Sequence, residues 1–327
     1  MLANMRAVYL FIYVDDLAKS RDFYENKLGL HVIEEDPGCV KFDCGQVILA
    51  LNRAADYNIA LPDGKDNSAD IVFLVDDLNA VRAAIEARGV SFSRTDWYQP
   101  GGITDFYDPD GHWLTLYQPN DEAMTWPSGN RIRAVRQARK SVNGNSASAA
   151  ANTGAESASN GAVKGLHGSD LFYVFFFVKD PKASQTFYHE YLGLRDLEGG
   201  PCSSGTAADS DGVIKYDTGG MLVTTHRIYE ERTPEQVEEH VCPPREIDLR
   251  AMQSVAPAFH VDNMNEAVKE LSQKDRKSSV RISRSEIGAV ASLQDPSGHL
   301  LFLYEPSAQA MQIPSGAKIK EILAAQL

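Results

Sequence analysis

Asp108-Pro-Asp-Gly-His112 recurs in this chain as Asp295-Pro-Ser-Gly-His299, 187 positions on. At the same 187-residue offset Leu116-Tyr-Gln-Pro119 recurs as Leu303-Tyr-Glu-Pro306, and Met124 with Pro127-Ser-Gly129 as Met311 with Pro314-Ser-Gly316. Nearer the start, Val14-Asp-Asp-Leu…Phe23-Tyr24…Leu28-Gly-Leu30 matches Val178-Lys-Asp-Pro…Phe187-Tyr188…Leu192-Gly-Leu194 at offset 164. Matches at fixed offsets mean a duplication. The offset grows by 23 residues, which places insertions in the second copy, in the polar stretch 199–212 and the Glu/Pro-rich stretch 229–250.

Each half repeats again. The run from Val8 alternates apolar side chains, Asp15-Asp16 supplies a helix N-cap, Leu17, Phe23, Tyr24 and Leu28 share or neighbour one helix face, and Gly29 ends the helix. Short alternating strands follow over Leu30–Glu34, Cys39–Phe42 and Val47–Leu51. Ile71–Tyr117 repeats that β-α-β-β-β order, with Asp76-Asp77 before the helix and Gly89 after it, and Leu171–Thr225 and Ala258–Tyr304 give two further copies. The fold class expected is therefore α+β, with four βαβββ modules paired into two tandem domains, 1–140 and 167–327. Between them lies 141–166. From Ser141 to Gly165, 20 of 25 residues are Ser, Ala, Asn or Gly, a composition that buries too little apolar area to offset its ordering entropy, so it reads as a flexible tether.

The chain has 327 residues, a length that suits two domains, and a net charge of −13. An acidic balance argues against a nucleic-acid partner, which calls for a basic stripe, and against adsorption to an anionic membrane. No run of apolar residues is long enough to span a bilayer, and the first residues lack the pattern of a signal peptide. Cys39, Cys44, Cys202 and Cys242 are scattered and form no CxxC, as expected of reduced thiols in a cytoplasmic protein. Arg131–Lys140 holds five basic residues in ten, a solvated helix face or a docking patch for an acidic partner. No GxGxxG at a strand–helix junction, P-loop or GxSxG elbow occurs.

The modules resemble the vicinal oxygen chelate superfamily of glyoxalases, bleomycin-resistance proteins and extradiol dioxygenases. The residues that carry the resemblance are Val14-Asp-Asp-Leu…Ser20…Phe23-Tyr24…Leu28-Gly-Leu30, Asp108-Pro-Asp-Gly-His112 and their copies. It implies that the two modules of each half close a cupped sheet around a small-molecule site, and that modules can also pair between chains as a homodimer. Strand alternation then lines the first cup with Tyr9, Phe11, Tyr13, Asn52, Asp70, Trp113, Thr115 and Tyr117. It lines the second with Tyr173, Phe175, Phe177, Thr224, His226, His260, Phe302 and Tyr304. Tyr and Trp in such a place offer an apolar face and a hydrogen-bonding tip to a flat aromatic or hydrophobic ligand, although the same rings could fill a closed core.

In metal-using relatives the ligands are His, Gln or Glu at the start of each first strand and the middle of each last strand. Those positions are here Tyr9, Ala50, Asp70 and Thr115, then Tyr173, Thr224, Ala256 and Phe302. Asp70 alone is a good donor for a divalent cation, so no metal and no other cofactor is expected. The resulting expectation is a metal-independent protein that binds a small molecule. The alternative is a lyase, isomerase or dioxygenase, either cofactor-free with Asp70 as general base or with a metal at a displaced site. His226 and His260, expected in one cup, are the candidate acid/base pair, against a plain role as hydrogen-bonded wall residues. His112 and His299 are expected to brace their hairpins, with Gly111 and Gly298 supplying a positive φ.

Overall fold

The computed structural model describes residues 2, 5–98, 100–151, 165–199, 213–228, 252–274 and 280–325. The insertions expected at 199–212 and 229–250, and Cys202 and Cys242, fall almost entirely outside these residues. Cys39 and Cys44 are buried free thiols.

Four modules of one pattern follow one another. The first comprises β1 (Arg6–Val14), α1 (Leu17–Asp22, continued by a π-helical turn Phe23–Lys27), β2 (His31–Asp36), β3 (Cys39–Asp43) and β4 (Ile48–Arg53). The second comprises β5 (Asp66–Leu74), α2 (Leu78–Glu86), β6 (Phe92–Tyr98), β7 (Gly101–Tyr107) and β8 (His112–Pro119), and leads into the long helix α3 (Pro127–Ala151). The third is β9 (Asp170–Val178), α4 (Pro181–Gln185, with a π turn Thr186–Tyr191), β10 (Arg195–Gly199), β11 (Ile214–Asp217) and β12 (Leu222–Arg227). The fourth is β13 (Val255–His260), α5 (Met264–Lys274), β14 (Arg281–Ser285), β15 (Gly288–Gln294) and β16 (Leu300–Pro306), and it leads into α6 (Pro314–Ala324). The expected caps are in place. The Asp16 carboxylate accepts the N–H groups of Ala18 and Lys19, Asp77 accepts that of Ala80, and Gly29 and Gly89 end their helices at φ 84°. The Ser/Ala/Asn/Gly-rich segment begins inside α3, and 152–164 lie outside the described residues.

The modules form two eight-stranded sheets. Sheet I has the order β14-β15-β16-β13-β1-β4-β3-β2, and sheet II the order β10-β11-β12-β9-β5-β8-β7-β6. The pairing differs from the expected one: module one joins module four through antiparallel β1 and β13, and module two joins module three through antiparallel β5 and β9. Neither half closes a sheet on its own. Strand parity is as expected. Leu10, Ile12 and Val14 face the helices, in a continuous apolar core that also takes in Tyr24, Ile71, Phe73, Val174, Phe176, Tyr188, Phe259 and Leu271. The convex faces of both sheets and the module helices thus share one interior, and the concave faces point away from it.

Polar residues stitch the modules together inside that interior. The Tyr24 hydroxyl donates to Asp108 Oδ2 at 3.0 Å, and Tyr188 repeats the bond to Asp295 at 3.1 Å. Asp108 Oδ1 accepts the backbone N–H of His112 at 2.8 Å, and Oδ2, the oxygen that Tyr24 also meets, lies 2.9 Å from His112 Nδ1. His299 instead bonds the Phe177 carbonyl at 3.0 Å through Nε2. Gly111 and Gly298 have the positive φ expected, 88° and 102°. Three residues of the basic run on α3 form ion pairs inside the chain: Arg131 pairs with Asp217, Arg136 with Asp76, and Arg139 with Asp76 and Asp170, while Arg133 is exposed.

Candidate functional site

The module exchange redistributes the expected site residues. Sheet I collects Tyr9, Phe11, Tyr13 and Asn52 with His260, Phe302 and Tyr304. Sheet II collects Asp70, Trp113, Thr115 and Tyr117 with Tyr173, Phe175, Phe177, Thr224 and His226. His226 and His260 therefore lie on different sheets and form no pair. The His226 ring bonds the Arg227 carbonyl at 2.8 Å and neighbours Phe177. Burial holds the His260 imidazole below its ordinary value, against the opposing pull of Asp262 and Glu305.

Sheet I carries an aromatic run. Tyr9 and Phe11 stack at 5.3 Å, and Phe11 meets Phe302 edge-on at 5.7 Å. Tyr9 contacts Tyr304 at 6.0 Å. Helix α6 covers one end, its Ile319 and Ile322 clustering with Tyr9, Ile48, Ala50, Ala258 and Tyr304. Ala54, Ile59 and Leu61 cover the other end, around Tyr13. Between the two covers, Phe11, Leu300 and Phe302 remain half-buried.

Two four-residue clusters, not anticipated from the sequence, fix the covering helices. In sheet II, Ser128 at the start of α3 donates its N–H and its hydroxyl to Glu198 at 2.9 and 3.0 Å, and Glu198 pairs with Lys215. In sheet I, Ser315 at the start of α6 donates its N–H to Glu34 at 2.9 Å, and Glu34 pairs with Lys41. Both lysines face the concave side, in register with Thr224 and Ala50. Tyr173 and Tyr9 complete the clusters. Burial pushes the Tyr9 phenol up to about 12, a bond with Ser315 working the other way, and raises Tyr173 in the same manner against Ser128. Burial lowers the Lys215 ammonium, with Glu198 opposing. Burial also disfavours the charge on Glu34, but Lys41 and Ser315 together hold its carboxyl below the usual range. The signal for both clusters was the repeated Pro-Ser-Gly, whose serine is the residue that docks.

Sheet II is more polar at its centre. The Thr115 hydroxyl lies 2.8 Å from Asp70 Oδ1 and 2.9 Å from Asp105 Oδ1, and all three residues are buried. Trp113 stacks on Phe177 at 5.7 Å, and Tyr117 meets Tyr173 at 6.2 Å. Arg94, in register with Asp105, pairs with Asp96.

The positions that the resemblance assigns to metal ligands become Tyr9, Ala50, Ala256 and Phe302 in sheet I, and Asp70, Thr115, Tyr173 and Thr224 in sheet II. The first set has a single oxygen donor, a phenol held protonated by burial. The second has one carboxylate, two hydroxyls and another buried phenol. Neither donor set fits a zinc or iron ion. Among the described residues no three His, Cys, Asp or Glu side chains gather as a metal site would need. No helix among them is long and apolar enough to cross a membrane.

Residues 6–116 and 171–303 match the family model of the Glyoxalase/Bleomycin resistance protein/Dioxygenase superfamily, and the chain belongs to that superfamily. Among solved structures it is similar to glyoxalase I from Zea mays, at 14% identity over 98% of this chain and 96% of that one, with a TM-score of 0.55. It is similar too to a Bacillus subtilis subsp. subtilis str. 168 protein designated a candidate dioxygenase, at 12% identity over 97% and 90% of the two chains, TM-score 0.55. At such identities the likeness is one of fold. No curated protein matches the chain in sequence.

Proposed function

We propose that the chain binds a small, largely apolar or aromatic molecule on the concave face of sheet I, without a metal ion. The observation that supports this most is the half-buried strip Phe11–Leu300–Phe302, left between α6 at one end and Ala54, Ile59 and Leu61 at the other. A flat ligand laid there would remove apolar surface from water at about 25 cal/mol per Å² and gain ring-to-ring contacts. His260 and Arg281 are among the polar groups on the same face that could orient it. Native mass spectrometry of the purified protein, with elemental analysis of the same sample, tests the reading. A retained organic mass without stoichiometric metal supports it; one equivalent of zinc, iron, manganese or nickel per chain overturns it.

A second reading is favoured by Thr115. Its hydroxyl lies within hydrogen-bond distance of both Asp70 and Asp105 and so holds two buried carboxyl groups close together. Such a pair could supply the acid and base of a cofactor-free isomerase or lyase centred on Asp70. Asp70→Asn, with turnover followed by mass spectrometry of substrate and product, separates the two: a binder keeps its ligand, and an enzyme loses its rate.

A further inference from the structure

The duplication allows one cup to be read against the other. Arg94 on β6 and Arg281 on β14 are equivalent, 187 positions apart. In sheet II, Arg94 pairs with Asp96 and stands opposite Asp105. At the same offset the second copy has Ser283 and Ser292 in place of those two acids. Asp70 and Thr115 are likewise replaced by Ala256 and Phe302, since Val72 pairs with Thr115 as Ala258 pairs with Phe302, and Asp70 and Ala256 each lie two residues before. The second copy thus has the arginine without the counterparts of Asp96, Asp105 and Asp70, and a phenyl ring at the position of Thr115.

Arg281 faces the concave side. Its neighbour Ile282 packs on the helix-side core, and strand pairing sets Arg281, Ser292 and Phe302 in one line across β14, β15 and β16. Arg281, Ser283, Ser292 and Gln294 are all exposed, and Phe302 beside them is half-buried. Among the described residues no acidic side chain pairs with Arg281. Elsewhere on this face Lys41 pairs with Glu34 and Asp43 with Lys318 of α6, and Asp36 stands on β2, at the opposite edge of the sheet from β14.

We propose that the sheet I cup selects an anionic ligand, an aromatic or flat apolar carboxylate, sulfonate or phosphate ester. Its body lies on Phe11 and Phe302 and its charge is held by Arg281. Two strand spacings separate the backbones of Arg281 and Phe302, about 10 Å, a span that a two- or three-ring molecule with a terminal acid can bridge. Guanidinium is well suited to such a group because its fork of donors matches planar oxyanions. The inference rests on sheet I being the binding face, and its test keeps the two apart.

The probes are 8-anilino-1-naphthalenesulfonate and N-phenyl-1-naphthylamine, one ring system with and without the acid, titrated by fluorescence at low salt into the full chain. Arg281→Gln is expected to weaken the sulfonate about tenfold and to leave the neutral amine within about twofold. Ser283→Asp rebuilds the ion pair of the other copy and is expected to do the same. Both positions are exposed, so neither change threatens the fold. Equal shifts for the two dyes, or no shift for the sulfonate, overturn the anion selectivity and leave the binding face standing. Failure of both dyes to bind the unaltered protein overturns the binding face itself.

Discussion

Ser128 and Glu198 are 70 positions apart in the chain, and the serine gives both its backbone N–H and its hydroxyl to the same carboxylate, at 2.9 and 3.0 Å. The bond fastens the helix that follows module two onto the outer strand of module three. Ser315 and Glu34, 281 positions apart, fasten the helix that follows module four onto module one. Each helix thus closes one end of the sheet to which its own module belongs.

Removing the carboxylate of the sheet II cluster leaves a buried ammonium without its ion-pair partner, with only Ser128 and the Trp126 and Tyr173 rings beside it. Glu198→Ala strands the Lys215 ammonium and is expected to cost about 3–5 kcal/mol, whereas replacing both residues by apolar ones of similar volume is expected to cost far less. Urea unfolding of the single and double variants measures the difference.

His112 makes the protein sensitive to alkali. Burial works against its charge, but Asp108, bonded to it, with Asp66 and Asp110 close by, pushes the imidazolium up to about 9 from an ordinary value of 6.5. Its contribution to stability is therefore full below pH 6.5 and lost as the pH rises through about 9. The urea midpoint is expected to fall across that window, and to fall less in His112→Gln.

Gly111 and Gly89 share a positive φ, 88° and 84°, and differ in their surroundings. A Cβ on Gly89 meets nothing within 4 Å, while one on Gly111 stands 2.0 Å from the Gly64 carbonyl. Gly89→Ala should cost about 1–2 kcal/mol, the conformational term alone. Gly111→Ala adds a collision with backbone and should lower the melting midpoint several times further.

Phe73 and Phe11 lie on opposite faces of their sheets. Phe73 is fully buried in the shared interior, and Phe73→Ala is expected to cost about 3–5 kcal/mol. Phe11 is half-buried on the strip proposed to bind, so Phe11→Ala should cost clearly less in a melt and more in retained ligand. Equal ligand retention in Phe11→Ala and the unaltered chain would count against that strip.

Much of this architecture was legible in the residues. The Asp caps, the closing glycines and the period-two strands each act within a few positions, so Asp16, Gly29 and Tyr9 could be placed without knowing their partners. Which modules join was not legible. All four offer similar first strands, and nothing local to β1 distinguishes β5 from β13 as its neighbour. The arrangement is tied together by side chains far apart in the chain, Tyr24 with Asp108 across 84 positions and Ser254 with Asp66 across 188. For the same reason strand parity fixes the face of each first-strand and last-strand residue but not its partners in the cup, and the sheets separate His226 from His260. Nothing local marks Glu34, Lys41, Glu198 and Lys215 for burial, because the helices that cover them come from other modules.

The crossed joining of modules also governs what the duplication permits. A half-length polypeptide would leave β1 and β5 as raw edges, each able to mate with the other's counterpart in a second copy, and the result would be a twofold dimer with two identical bowls. Fusing the copies into one chain breaks that identity. Each bowl now rests on its own pair of modules, so a mutation in one is no longer mirrored in the other, and the two are free to evolve toward different chemistry on a shared frame.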